Sequence, residues 1–313
     1  MKPTRPPIPP LLAIAFALVA VSTASIFIRY AQRDAPSLVI AAGRLTVASL
    51  ALVPLALSRH RAELAALKRS QWLLALLSGV FLAAHFATWI SSLEYTSVAS
   101  SAVLVSTTPL WVAVFTPIFL KEKVRPGVMV GMAVALLGGA IIGLSDMCSL
   151  AGGRLTCPDM NTLIQGDAFL GNLLALAGAL GATGYFLIGR RLRERMSLVS
   201  YVSVVYGMAA LVLIGWMFAA GYKPWGLPPR VYLWIVLLGL VPQLIGHSTF
   251  NWALGYLSAA FVSITLLGEP IGSTILAMIL LDEVPSALKI IGGVLILAGI
   301  YLSARSPAST ASD

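Results

Sequence analysis

Residues 95–109 read YTSVASSAVLVSTTP, and residues 256–270 read YLSAAFVSITLLGEP. Set side by side at an offset of 161 residues, Tyr95 meets Tyr256, Ser97 meets Ser258, and Pro109 meets Pro270. The register then holds for Glu122 with Glu283, Gly131 with Gly292, and Gly138 with Gly299. One residue of slippage sets His85 opposite His247, and Ser37-Leu38-Val39 is echoed by Ser197-Leu198-Val199. The chain therefore consists of two copies of one unit. Duplication kept only for packing would leave the same pattern, so function needs further argument.

Composition decides the solvent. Of the 313 residues 58% are hydrophobic and only 11% are charged, and the mean hydropathy is +0.91. A water-soluble domain carries about a quarter charged residues. A chain this poor in charge cannot cover a globular surface, so the expected solvent is lipid. The net charge of +9 does not imply nucleic acid, because the basic residues form short clusters between apolar runs rather than one basic face.

Apolar runs broken by charge or by Pro and Gly give ten candidate spans: 11–29, 37–57, 72–93, 97–120, 126–145, 166–189, 198–220, 231–253, 258–281 and 285–304. Each approaches the roughly 20 residues that a membrane helix needs. The first follows Lys2 and Arg5 but lacks a clear small-residue cleavage site, so it reads as an uncleaved span. The runs are continuous rather than alternating, which argues against a β-barrel. The fold expected is all-α and integral to the membrane. Five spans separate equivalent points, and five is odd, so the second copy threads the membrane in the opposite direction. Inverted repeats of this kind suit alternating access around a central cavity.

With the N-terminus inside, fourteen Lys and Arg fall in inner segments and six in outer ones. Both termini are expected in the cytoplasm by the positive-inside rule. Cys148 and Cys157, the only cysteines, both fall in the long outer loop, where an oxidising exterior would let them pair. Two inert loop thiols are the alternative. Two thiols without a nearby His fall short of a metal site.

The order Tyr95-Thr96-Ser97-Val98-Ala99, Pro109, Lys121-Glu122-Lys123 and a glycine-rich helix from Gly127 to Gly143 resembles the repeat unit of the drug/metabolite transporter superfamily, EamA-type family. The second copy, through Gly268-Glu269-Pro270, Asp282-Glu283 and Gly292-Gly293 to Gly299, is similar to it as well, and Arg44 after Gly43 fits the same pattern. The resemblance covers nearly the whole chain. It implies a first repeat over 1–145, an outer loop over 146–165, a second repeat over 166–304 and a disordered tail over 305–313. It also implies an inner-membrane carrier, often an exporter of amino acids or other metabolites, with a cavity lined by spans three, four, eight and nine. No cofactor is implied.

Polar residues inside spans are the candidates for a site, since they are costly in hydrocarbon and face a partner or a cavity. Span three carries Ser78, His85, Trp89 and Ser92 on one helical face. Span eight carries Gln243, His247 and Asn251 at intervals of four, to glue helices together or to line a wet cavity. Span four offers Ser101, Thr108 and Trp111, hydroxyls and an indole suited to a small zwitterion or an aromatic solute, although Ser and Thr also bond their own helix. Glu269 lies near the midplane beside Pro270, which is expected to kink span nine as Pro109 kinks span four. An acid beside a kink suits proton coupling or a substrate ammonium; a structural pair with His85, His247 or Arg44 is the alternative. Arg44 could neutralise a substrate carboxylate, but its place about two turns from the outer end favours snorkelling to the headgroups. Glu122 and Glu283 are expected to do structural work at span ends. Gly127, Gly131, Gly139 and Gly143 form a small-residue ridge for internal packing or for a homodimer seam.

No HExxH, GxSxG or P-loop is present, so an enzyme is not expected. A passive channel would need a continuous polar pore, and only scattered polar residues are seen. The expectation is a secondary transporter exporting an amino acid or similar metabolite. Efflux of lipophilic cations is the alternative, one acid in a Trp-rich cavity being suited to them.

Overall fold

In the computed structural model the apolar runs are helices, and it describes residues 6–96, 101, 104–124, 126–147, 149–151, 154–156, 167–281 and 287–304. The first half holds α1 (Pro10–Ser22), α2 (Ala24–Gln32), α3 (Ser37–Arg59), the short α4 (Arg61–Ala65), α5 (Arg69–Tyr95), α6 (Thr108–Phe119) and α7 (Pro126–Met147). A hairpin of β1 (Ser149–Ala151) and β2 (Arg154–Thr156) follows, paired antiparallel. The second half holds α8 (Asp167–Arg193), α9 (Leu198–Ala219), α10 (Pro229–Leu238), a π-helical segment (Gly239–His247), α11 (Ser248–Ala253), α12 (Ala259–Thr265), one 3₁₀ turn (Leu266–Gly268), α13 (Glu269–Leu281) and α14 (Ala287–Ala304). Cys148, Cys157, Glu283 and the tail 305–313 lie outside the described residues.

Among the described residues, seven helical stretches are long and apolar enough to cross a membrane. Shorter apolar helices at Thr108–Phe119, Pro126–Ile141 and Ile290–Leu302 stand where spans four, five and ten are expected. Phe16, Val19, Leu50, Ile118, Leu211 and Val294 are exposed on the outside of the bundle. Large apolar side chains at the surface in this number belong against lipid.

Helix pairing exchanges between the halves. Helix α1 packs on the π-segment, and its counterpart α8 packs on α5; α3 packs on α9, and α7 on α14. The α5–α8 contact is close because α8 presents glycine there: a Cβ on Gly181 would stand 2.8 Å from the His85 backbone nitrogen. The α7–α14 contact is reciprocal. A Cβ on Gly138 would lie 2.5 Å from the Gly292 carbonyl, and one on Gly299 would strike the Gly131 carbonyl. Of the glycine ridge, Gly131 is thus engaged within the chain. A homodimer seam through Gly127, Gly131, Gly139 and Gly143 finds no support, although Gly139 itself has open space beside it.

At Pro109 and Pro270, where kinks are expected, the α-helical pattern is interrupted by a short turn. Each proline sits in the first turn of a new helix, α6 or α13, and each of those helices is preceded by a non-α turn, at Ser106–Thr107 and at Leu266–Gly268. Proline fits the first turn because the donor it lacks would have no partner there. Span eight carries a third irregularity that the sequence reading passed over, the π-segment containing Pro242.

Carboxylates tie the elements at their ends. Glu94 accepts from the Ser37 backbone N–H at 2.9 Å, at the start of α3. Glu63 accepts from the Ser197 N–H at 2.6 Å and the Ser200 hydroxyl at 2.7 Å, at the start of α9. Ser37 and Ser197 are repeat equivalents. Glu122 pairs with Arg190 at 3.0 Å, in keeping with the structural duty expected of it.

Candidate functional site

Phe86 of α5 is the centre around which the mid-bundle polar residues gather. The Arg44 guanidinium, from α3, lies over its ring at 4.1 Å. The His247 ring meets it edge-on at 5.3 Å, and His85 and Trp89 flank it at 4.7 and 6.3 Å between centroids. Residues three and four apart on a helix share a face, so α5 offers His85 and Trp89 together; their rings stack at 5.8 Å. Gln243 accepts from Arg44 Nε at 2.9 Å. Helix α3 and the π-segment of the second half thereby meet through a polar bond.

Arg44 is a correction to the sequence reading. It does not snorkel outward: it is 0% exposed, enclosed by Phe86 and Gln243. Its distance along the span suggested an exit to the headgroups, but helices of both halves close over that path. Glu269, half-buried at the start of α13, lies within electrostatic range of Arg44, yet the two form no direct ion pair among the described residues.

His85 also serves packing, its Nδ1 meeting the Gly178 carbonyl of α8 at 2.9 Å. Asn251 is turned away from Phe86 into a tyrosine network. Its amide donates to the His247 carbonyl at 2.8 Å, to the Tyr206 hydroxyl at 3.4 Å and to the Tyr185 hydroxyl. Tyr206 also bonds to Ser248 at 3.2 Å, and Tyr201 to Ser78 at 2.7 Å. These three buried tyrosines were missed by sequence reasoning. Tyr favours the membrane interface, so a Tyr well inside an apolar span was the available signal.

The span-four candidates are satisfied locally. Ser101 bonds to Ser92 at 2.6 Å, Thr108 donates to the Val105 carbonyl at 2.7 Å, and the Trp111 indole donates to Thr107 at 3.2 Å. The structure therefore brings His85, Trp89, Gln243 and His247 together around Phe86, with Glu269 in electrostatic range of Arg44. The contacts of Ser101, Thr108 and Trp111 lie elsewhere.

Beside α13, the turn at Thr23 between α1 and α2 makes a second polar seam. Ser25 meets Ser273 at 3.1 Å, and Ser273 donates to the Ser22 carbonyl at 3.1 Å. The Ser22 hydroxyl reaches the Glu269 carbonyl at 3.4 Å. The irregular turns of both helices are thus bridged at the level of Glu269.

Residues 8–144 and 169–305 each match the model of the EamA-like transporter family. A probable terminal-alkyne amino-acid exporter of Streptantibioticus cattleyicolor is 25% identical over 266 residues, 84% of this chain and 82% of its own. A pseudopaline exporter, CntI, of Pseudomonas aeruginosa is 24% identical over 242 residues, 77% of this chain and 78% of its own. A crystal structure of a further protein superposes with a TM-score of 0.74 at 18% identity, covering 94% of this chain and 96% of that one; it speaks for the fold alone.

Proposed function

Because the chain belongs to the EamA-like transporter family, and is therefore a multi-pass membrane transporter rather than an enzyme, we propose that it exports an amino acid or similar small metabolite across the plasma (inner) membrane by alternating access. The observation that carries this reading is the polar cluster around Phe86, built from both halves and buried mid-bundle. A group of donors that both halves share can change its exposure when the halves rock against each other.

Three shorter helices complete ten spans in two inverted five-helix repeats, 1–145 and 166–304. The exchange of helix pairs between the halves supports the inversion. The distribution of Lys and Arg supports cytoplasmic termini. His85, Trp89, Gln243, His247 and Glu269 contact the substrate; Asn251 positions His247; Ser101, Thr108 and Trp111 belong to the wall of the path. Efflux of a lipophilic cation is a second reading, favoured by Glu269 and opposed by the buried charge of Arg44.

Efflux from liposomes holding the purified protein and a mixed pool of amino acids, nucleobases and cationic dyes tests the proposal, with mass spectrometry reporting what leaves. Saturable loss of a few amino acids or related metabolites, with counterflow, is expected. Selective loss of the dyes would favour the second reading, and non-saturable leakage without counterflow would favour a channel.

A further inference from the structure

Arg44 has five N–H donors and uses one nitrogen. Its Nε is bonded to Gln243, while Nη1 and Nη2 are buried without a hydrogen-bond partner among the described residues. The same holds for Gln243 Nε2, Trp89 Nε1 and His247 Nδ1. All four residues touch Phe86 or the guanidinium on its face. Buried polar groups in folded proteins are almost always bonded, and an unpaired buried charge is costly. Nitrogen atoms left over in one place, on a transporter, belong to something that comes and goes.

We propose that Arg44 is the anion-receiving group of the transport site, with Gln243 Nε2 and Trp89 Nε1 as flanking donors, and that the ligand is a carboxylate. The proposal rests on the transport reading above and narrows its substrate class. The guanidinium fork matches the two oxygens of a carboxylate, and Phe86 holds the fork flat by lying beneath it. Glu269, the carboxylate whose charge reaches Arg44, is the acid that would draw an ammonium on the same solute. A solute carrying both charges then meets both.

The rival account is that Arg44 and Glu269 only hold the halves together. It predicts that Arg44→Gln lowers stability and leaves ligand preference unchanged.

The test is ligand-induced thermal stabilisation of the full-length protein in nanodiscs. The probes are the proteinogenic amino acids, each beside its amide, which lacks the carboxylate, and its N-acetyl derivative, which keeps it. In the unaltered protein at least one amino acid is expected to bind, with its amide weaker by about tenfold or more, the loss of a hydrogen-bonded charge. The N-acetyl derivative should lose less. Arg44→Gln should abolish the preference over the amide, and Arg44→Lys should keep part of it. Should Arg44→Gln fail to fold, Arg44→Lys reads the role of Arg44, and an undiminished preference in it overturns the proposal. The comparison of acid with amide in the unaltered protein reads the carboxylate. Equal binding of acid and amide overturns the proposal, as does a preference that survives Arg44→Gln. Binding by none of the probes overturns it too. Continued dye efflux in the liposome assay would then leave transport standing without a carboxylate, whereas loss of all efflux would remove both.

Discussion

Glu63→Gln exchanges a carboxylate for an amide at the point where the first half caps a helix of the second. Three donors converge on Glu63: the Ser197 N–H at 2.6 Å, the Ser200 hydroxyl at 2.7 Å and His60 Nδ1 at 3.3 Å. A hydrogen bond to a charged group contributes about 1.5–3 kcal/mol when shielded. The Glu63 side chain is 30% exposed, so solvent screens part of that, and the amide of Gln retains one acceptor. The expected loss is about 1–2 kcal/mol in all. Burial acts to raise the Glu63 pKa, but hydrogen bonds from Ser197, Ser200 and His60 outweigh it and hold it below the ordinary 4.5. A depressed folded value means that the contribution is complete above pH 4.5 and is lost as pH falls through that folded value. Reversible unfolding in detergent micelles, measured at neutral pH and in steps below pH 5, reads both effects. The variant should be weaker at neutral pH and should lack this acid-labile component. Equal stability at neutral pH, or an undiminished acid step in the variant, would refute the capping account.

Two further substitutions discriminate by position. Gly138→Val should cost about 1–3 kcal/mol by overpacking against the Gly292 backbone, whereas Gly139→Ala, with nothing within 4 Å of its new Cβ, should stay within about 0.5 kcal/mol of the parent in the same unfolding assay. Tyr201→Phe leaves the buried Ser78 hydroxyl without its 2.7 Å partner and should cost about 1–3 kcal/mol; adding Ser78→Ala should recover part of that loss.

Seven of the expected spans were legible because hydropathy needs only the local sequence, and the repeat because aligned residues such as Pro109 and Pro270 can be counted. What Pro109 and Pro270 do was half legible. Proline announces an interruption, but whether a helix bends or restarts depends on the turns before it, and those are set by packing. Arg44 was misread for a similar reason. Snorkelling was judged from distance along its own helix, while Phe86 and Gln243, which enclose it, lie on α5 and in the π-segment of the other half. Gln243 and His247 were found because polar residues stand out in an apolar run. Phe86 does not stand out there, and its importance comes wholly from what surrounds it.

The reciprocal contact between Gly138 and Gly292 and between Gly299 and Gly131 has a bearing on ancestry. Its geometry is isologous: each surface is a copy of the one it meets, as in a two-fold symmetric dimer of identical subunits. A single five-helix ancestor would already have carried both faces of this contact, able to pair with itself before any fusion. The seam inside this chain thus has the geometry of a join between two like molecules.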